Sequence, residues 1–339
     1  MPERSELKQQ FLDGTGWGAA ARRLIAGDAS NRKYERLTQH GQTRVLMDAP
    51  PDKKEDVRPV IAITEILRDA DLSAPEIFAQ DTEAGFLLIE DLGDDLFARL
   101  IETRPALEQP LYEAATDVLL HLHAAPRPNL PRYDAAGMTE AACLAFDRYQ
   151  RGCTGSVDTA VRRAFATEMA RVLGLLDAVT PVLIQRDYHA ENLIWLPDRT
   201  GVARVGLLDF QDAMLGHPAY DLVSVLQDAR RDVSVDVQER MLDRYIAGAG
   251  TDPKAFKTAY ALLGLQRNLR ILGVFARLSL AYGKPHYVDL IPRVWDHIET
   301  NLANPAAAAL APLIRAHLPV PTPDILKSLK AQCSTIPLP

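Results

Sequence analysis

The apolar pattern of this 339-residue chain changes character once, near residue 90, and that change limits the folds open to it. Before it, short apolar or alternating runs predict strands over 20–26, 34–38, 43–48, 77–80 and 85–90. A short helix is predicted over 7–12. A second is predicted over 57–70, with Pro59 in its first turn and Val60, Ile63, Ile66 and Leu67 on one stripe. After Glu90-Asp91-Leu92-Gly93, which reads as a linker, helical periodicity dominates, as over 111–123 and 260–280. The helices are interrupted by one β segment, 182–196 and 205–210, joined through 197–201. From Leu318 the prolines leave room only for a short helix near 324–330. The expectation is an α+β protein of two lobes: a small β-rich one over 1–91 and a larger, mostly helical one over 92–339.

Composition fits that outline. Hydrophobic residues make up 47% and charged residues 24%, which is ordinary globular usage and excludes disordered, collagen-like and coiled-coil chains. Lys and Arg number 38 against 45 Asp and Glu, so the net charge of −7 argues against a dedicated nucleic-acid binder. Three cysteines, Cys143, Cys153 and Cys333, do not describe a disulfide framework. Residues 1–10 are too charged for a secretory leader. The longest apolar helix pattern is broken by Arg267, Arg270 and Arg277, so no membrane span is expected. A cytoplasmic protein is the resulting expectation.

The densest polar cluster lies between two apolar runs: Ile184-Gln185-Arg186-Asp187-Tyr188-His189-Ala190-Glu191-Asn192-Leu193-Ile194. Further on comes Leu207-Leu208-Asp209-Phe210-Gln211-Asp212. Two carboxylates and an amide are thereby presented at the ends of short strands. Metal-assisted phosphoryl transfer asks for that set. One carboxylate orients the attacking hydroxyl, while an Asn and a second Asp offer hard oxygen ligands to Mg²⁺. Other signals are weak or missing. Gly14-Thr15-Gly16-Trp17-Gly18-Ala19 matches G-x-G-x-x-A, but it follows a polar helix and precedes a strand, the wrong context for a dinucleotide site. His121 and His123 are two residues apart on a helix and face different ways, which reads as packing. No Walker-type loop, zinc Cys pair or G-x-S-x-G elbow occurs.

The spacing Asp187-x-His189-x-x-Asn192 followed by Asp209-Phe210 resembles the catalytic loop and metal-binding Asp of the aminoglycoside phosphotransferase family, which has the protein-kinase-like fold. The resemblance runs from about residue 20 to 295. Within the family it is nearest the anomeric N-acetylmuramate and N-acetylglucosamine kinases of cell-wall recycling, on the stretches 27–34, 45–51 and 266–277. It implies a kinase that transfers the γ-phosphoryl of ATP, with Mg²⁺, to a sugar hydroxyl. By that resemblance Asp187 is the catalytic base or hydroxyl-orienting group, and Asn192 and Asp209 are the metal ligands. Gly27, Ser30, Asn31 and Arg32 cover the phosphates, and Glu90 to Leu92 hold the adenine at the hinge. His189, Arg267 and Arg270 serve the acceptor, and Asp221 braces the catalytic loop. The implied partners are ATP and an amino sugar.

The departures from the pattern keep alternatives open. Kinases place a Lys on the third strand, paired with a helix Glu, to grip the nucleotide phosphates. Here Met47 stands at that place, and Glu65, where the helix Glu falls, lacks its partner. Arg32, Lys33, Lys53 and Lys54 are the nearby candidates for the missing charge. Gln211 replaces the Gly after Asp-Phe, and Gln185-Arg186 replaces the usual His before the base. Arg267, Arg270 and Arg277 form either a solvated stripe or an acceptor wall, where an Arg would suit the lactyl carboxylate of a muramic sugar. Trp295, Tyr282 and Tyr287 are core residues or sugar-stacking rings. An aminoglycoside or other small alcohol as acceptor, or a nucleotide-binding pseudokinase, remains the alternative.

Overall fold

A computed structural model describes residues 3–26 and 31–335. The chain divides into two compact units. One contains Met1–Ala125 and Ala190–Ala213, and the other contains Pro126–His189 and Met214–Pro339.

The first unit opens with α1 (Arg4–Gly14) and continues through β1 (Ala21–Ala26), β2 (Lys33–Gln39) and β3 (Gln42–Asp48). Then come α2 (Arg58–Asp69), β4 (Ile77–Asp81), β5 (Phe86–Ile89), α3 (Phe97–Thr103) and α4 (Glu108–Ala124). Among the described residues the five strands form one antiparallel sheet in the order β1-β2-β3-β5-β4. Its two faces follow from strand alternation. Leu37, Leu46, Phe86 and Leu88 point to one side, where they cluster with Leu12, Ala20, Phe11 and Trp17 under α1. The same side carries the buried Asp48. Its carboxylate takes Arg4 at 2.6 Å and Lys8 at 2.9 Å, and Arg4 lies 3.9 Å from the Phe86 ring centroid. The opposite face presents Tyr34, Arg36, Val45, Met47, Leu87 and Ile89, paired across β2, β3 and β5.

The segment after β5 is pinned to this sheet. Arg36 on β2 donates to Asp91 at 2.8 Å and to both oxygens of Asp94 at 2.6 and 3.1 Å. These bonds hold the Asp94 carboxyl below its usual range. The remaining strands of the unit, β7 (Leu193–Trp195) and β8 (Val205–Leu207), form a two-stranded hairpin. It joins the linker through Trp195 N–H to the Asp95 carbonyl, and the loop before β4 through Leu207 N–H to the Ser73 carbonyl.

The second unit holds α5 (Ala135–Leu144), α6 (Arg151–Thr154), α7 (Thr159–Gly174) and β6 (Val182–Ile184). The chain returns to it with β9 (Met214–Gly216) and α8 (Ala219–Leu226). Then follow α9 (Val235–Ala249), α10 (Pro253–Tyr282), α11 (Ile291–Leu302), α12 (Ala311–His317) and α13 (Pro323–Ala331). The thirty-residue α10 is its axis, buried nearly all round from Ala259 to Ala276. α5 does not end cleanly. It passes into a π-helical turn, Ala145–Gln150. There Gly273 of α10 approaches so closely that a Cβ would overlap the backbone carbonyl of Leu144.

Most sequence expectations meet their elements, including the short helix after Leu318. One does not. The stretch predicted as a single β segment is split: β6 pairs with β9, a strand the sequence did not signal, and β7 pairs with β8. The β6–β9 pairing skips two strands of the chain, so local pattern could not find it, whereas β7 and β8 are consecutive and form a hairpin. Tyr287 and Trp295 are buried, with Trp295 tilted against Tyr149, whereas Tyr282 is exposed. No helix among the described residues is long and apolar enough to cross a membrane, and the three cysteines form no disulfide. Because Gly273 has no room for a side chain, Gly273→Ala should cost about 1–3 kcal/mol. The expected result is a lower Tm by calorimetry with the far-UV CD spectrum retained.

Candidate active site

In the second unit the site begins with a buried carboxylate. Asp221, in the first turn of α8, is fully buried and accepts the Gln185 N–H at 2.6 Å and the Arg186 N–H at 2.9 Å. This double acceptance turns the chain out of β6. Arg186 takes φ +71, a left-handed conformation that costs a non-glycine residue about 1–2 kcal/mol. Ser224 Oγ donates to its carbonyl at 3.3 Å, and its guanidinium lies over the Tyr133 ring. The next residue, Asp187, is thus carried half-buried on a rigid turn. Asp221 is the bracing residue the sequence led us to expect.

Around Asp187 the same unit gathers mostly positive charge. His189 is buried, and its Nε2 lies 3.2 Å from Nη1 of Arg230. Burial, then Arg230 and Arg267, push its pKa well down, so the imidazole is neutral. Arg267 on α10 is buried at 3% exposure, not solvated, and its Nε and Nη1 have no hydrogen-bond partner among the described residues. Burial lowers its pKa, against the pull of Tyr220 and Asp187, while Arg270 pushes in the same direction as burial. Asp228 is also buried; its carboxylate accepts the Arg230 N–H at 2.8 Å, and burial raises its pKa. The structure therefore brings Asp187, His189, Arg267 and Arg270 into one electrostatic neighbourhood. Arg230 and Asp228 belong to it too and were missed, because Asp228-Ala229-Arg230-Arg231-Asp232 reads locally as a solvated charge run.

In the first unit, Asn192 and Asp209 flank the β7–β8 hairpin at one end, where Leu208 N–H donates to the Asn192 carbonyl at 3.0 Å. Asp209 is exposed and takes φ +54, and Gln211 Nε2 donates to its Oδ1 at 2.9 Å. Among the described residues no three His, Cys, Asp or Glu side chains group to hold a metal by themselves. One amide and one carboxylate suit Mg²⁺, which keeps several waters and completes its shell with substrate phosphates. Tyr34 on β2 lies within electrostatic reach of Asp209; burial raises its pKa, Arg32 lowers it and Asp209 raises it. Arg32 is paired with Glu55 at 2.8 Å, and the Asn31 N–H donates to the same carboxylate at 3.0 Å. Gly27 and Ser30 lie outside the described residues. At the linker, the Glu90 carboxylate accepts from Arg199 and from the Glu76 N–H, and the Glu90 N–H donates to the Glu76 carbonyl at 2.8 Å. The Leu92 side chain packs on Gly206 of β8.

Burial moves the Asp221 carboxyl up to about 7, against the pull of its two N–H donors. Its unfolded value is near 3.9. The folded state therefore holds the proton more tightly, and this contribution to stability is present below about pH 4 and lost as pH rises through about 7. Asp221→Asn should flatten that decline. It should also lower Tm throughout, because the two N–H groups point at different oxygens and the amide sets an NH2 donor against one of them. Thermal unfolding of both proteins from pH 4 to 8 checks this.

Comparison with known proteins agrees with this arrangement. The sequence pattern of the phosphotransferase enzyme family matches residues 21–259. The N-acetylmuramate/N-acetylglucosamine kinase of Caulobacter vibrioides is 40% identical, over 94% of this chain and 98% of its own. Among solved structures, a choline/ethanolamine kinase family protein from Mesorhizobium loti superposes with a TM-score of 0.63 at 13% identity, covering 97% of this chain and all of that one. An ADP-bound aminoglycoside phosphotransferase superposes at 0.61 and 14% identity, covering 90% and 99%. These likenesses place the small antiparallel sheet and the larger helical part in the protein-kinase-like α+β fold. With most of its length matched, the chain belongs to the phosphotransferase enzyme family.

Proposed function

We propose that this protein is an ATP-dependent kinase for an amino sugar. It transfers the γ-phosphoryl to the anomeric hydroxyl of N-acetylmuramate or N-acetylglucosamine, a step of cell-wall recycling. The observation that carries the reading is the Caulobacter relative, which bears that name and matches nearly end to end. ADP in a structural neighbour supports ATP as the donor.

In this reading Asp187 accepts a hydrogen bond from the attacking hydroxyl, orients it and takes its proton as the new O–P bond forms and the bond from the γ-phosphorus to the ADP oxygen breaks, releasing ADP. Asn192 and Asp209 are the Mg²⁺ ligands. Bound there, the metal supplies neutralisation of the charge on the transferred group. Backbone groups of Glu90 to Leu92 meet the adenine, and the turn through Gly27, Ser30, Asn31 and Arg32 meets the phosphates. The neutral His189 hydrogen-bonds the sugar rather than competing with it as a cation, and Arg270 lines the same acceptor side.

Arg267 favours an acidic sugar. A buried guanidinium with two unpartnered nitrogens is costly. A carboxylate presented by the acceptor removes that cost with charge-assisted hydrogen bonds. N-acetylmuramate carries a lactyl carboxylate, and N-acetylglucosamine does not. Arg267→Met should lower kcat/KM for N-acetylmuramate about 10- to 100-fold, as expected for a hydrogen bond to a charged group, while N-acetylglucosamine changes much less. Equal losses would remove the carboxylate role.

The assignment itself is tested by ³¹P NMR of the protein with ATP, Mg²⁺ and each of N-acetylmuramate, N-acetylglucosamine, kanamycin and choline. A sugar 1-phosphate resonance is expected; product only from kanamycin or choline would move the acceptor. Asp187→Asn should lower kcat by about 10²–10⁴ with nucleotide binding kept, and near-normal turnover would overturn its role. Asp209→Ala should abolish the Mg²⁺ dependence of nucleotide binding, read by titration.

A further inference from the structure

Beside Arg267 stands a second buried charge that the proposed chemistry does not use. Asp228, just past the end of α8, is 1% exposed. One carboxylate oxygen accepts the Arg230 N–H at 2.8 Å. The other, Oδ2, is buried with no hydrogen-bond partner among the described residues. Arg230, Arg267 and Arg231 all lie within electrostatic reach of this carboxylate, yet among the described residues it forms an ion pair with none of them. Nε and Nη1 of Arg267 are likewise unpartnered.

Opposite charges attract strongly in an interior, and each is costly to bury alone. Here the framework keeps the two apart. Gln227, the residue before Asp228, is buried, and its Oε1 accepts Nδ2 of Asn268 and Nδ2 of Asn301, each at 2.8 Å. Asn268 is the residue after Arg267 in α10. One amide hydrogen bond therefore ties the neighbour of the acid to the neighbour of the guanidinium. Asn301 adds α11, from which Arg293 also holds Asp232 and, at 3.3 Å, the Ala229 carbonyl. Closing the Asp228–Arg267 pair would pull on this network. Each charge thus keeps an unfilled position, an acceptor on Asp228 and donors on Arg267.

A ligand with a donor and an acceptor on adjacent carbons fills both. In an N-acetylated amino sugar the C2 acetamido N–H is the donor. The C3 substituent is the acceptor: the lactyl carboxylate of N-acetylmuramate or the hydroxyl of N-acetylglucosamine. We propose that Asp228 is a specificity-determining residue of the acceptor site, its Oδ2 accepting the acetamido N–H while Arg267 takes the C3 group. The proposal rests on the kinase reading above and deepens it. Arg267 separates the two sugars, whereas Asp228 recognises what they share. A sugar without a donor at C2 leaves the buried carboxylate unpaired and is penalised for it.

The test is steady-state kinetics of the full-length protein. Asp228→Asn keeps an oxygen for the Arg230 N–H and turns an NH2 donor towards the ligand. It should lower kcat/KM for N-acetylmuramate and N-acetylglucosamine by the same factor, about 10- to 100-fold and mainly through KM, with the KM for ATP changed by about twofold at most. In Arg267→Met, by contrast, the loss falls on N-acetylmuramate. The wild type should also use N-acetylglucosamine methylated on its amide nitrogen about tenfold less well than the parent sugar, a measurement that needs no folded variant. An unchanged sugar KM in Asp228→Asn overturns the proposal and leaves Oδ2 to a buried water. So does an ATP KM that rises as much as the sugar KM, which marks a structural role, and so does equal use of the methylated sugar by the wild type. A wild type that phosphorylates neither parent sugar overturns the kinase reading itself, before any variant or analogue is compared.

Discussion

The buried carboxylate of Asp221 is the constraint from which the turn carrying Asp187 is built. Two main-chain N–H groups from consecutive residues converge on it, which an extended strand cannot arrange. The strand must therefore end at Ile184, and the following turn must enter the left-handed region at Arg186. That strain fixes the direction in which Asp187 leaves the turn. Burying Asp221 is itself costly, as its raised pKa records. The cost is bearable because α8, which carries it, is otherwise entirely buried. The role proposed for Asp187 asks for a fixed direction more than for a stable environment.

The first unit solves a different problem with the same means. Its sheet has one face closed by α1, and the other carries Arg36, Val45, Met47 and Leu87, all buried. Strand alternation sorts the side chains, so Glu35 and Asp48 lie on the closed face, held by Arg4 and Lys8. Arg36 lies on the other and holds the linker carboxylates. Ion pairs thus fasten both α1 and the linker, while the apolar residues of β3 and β5 supply the core. The large pKa rise of Arg36 reflects two carboxylates on one guanidinium and needs no functional meaning.

Much of this was legible in the sequence, and what was hidden shares one cause. Alternation in 34–38 and 43–48 reveals the strands, and a single apolar stripe reveals α2, because local periodicity decides those elements. The Asp187, Asn192 and Asp209 pattern is legible because kinase-type chemistry fixes spacing within one loop and one strand. Glu55 and Arg230 were invisible for the opposite reason. Each sits in a short charged run, Lys53-Lys54-Glu55-Asp56 or Arg230-Arg231-Asp232, whose local reading is solvation. Only tertiary pairing, Glu55 with Arg32 across 23 residues and Arg230 with His189 across 41, gives them meaning. The strand β9 escaped likewise, since its partner β6 lies thirty residues upstream, beyond any hairpin signal.

Several features that break local rules fall at residues of the proposed site or beside them, though His40, Lys54, Asp71 and Ser334 also take positive φ elsewhere. Arg186 and Asp209 take positive φ without being glycine, Asp221 is buried as a carboxylate, and Arg267 is buried with unpartnered nitrogens. Each costs stability on its own. A Gly at 186 or 209 would relieve the backbone, and a Leu at 267 would fill the interior of α10. An Arg kept at 267 with Nε and Nη1 unpartnered among the described residues fits the carboxylate-binding role proposed for it. Such a site is most stable with its ligands in place, because binding supplies the partners that folding withheld.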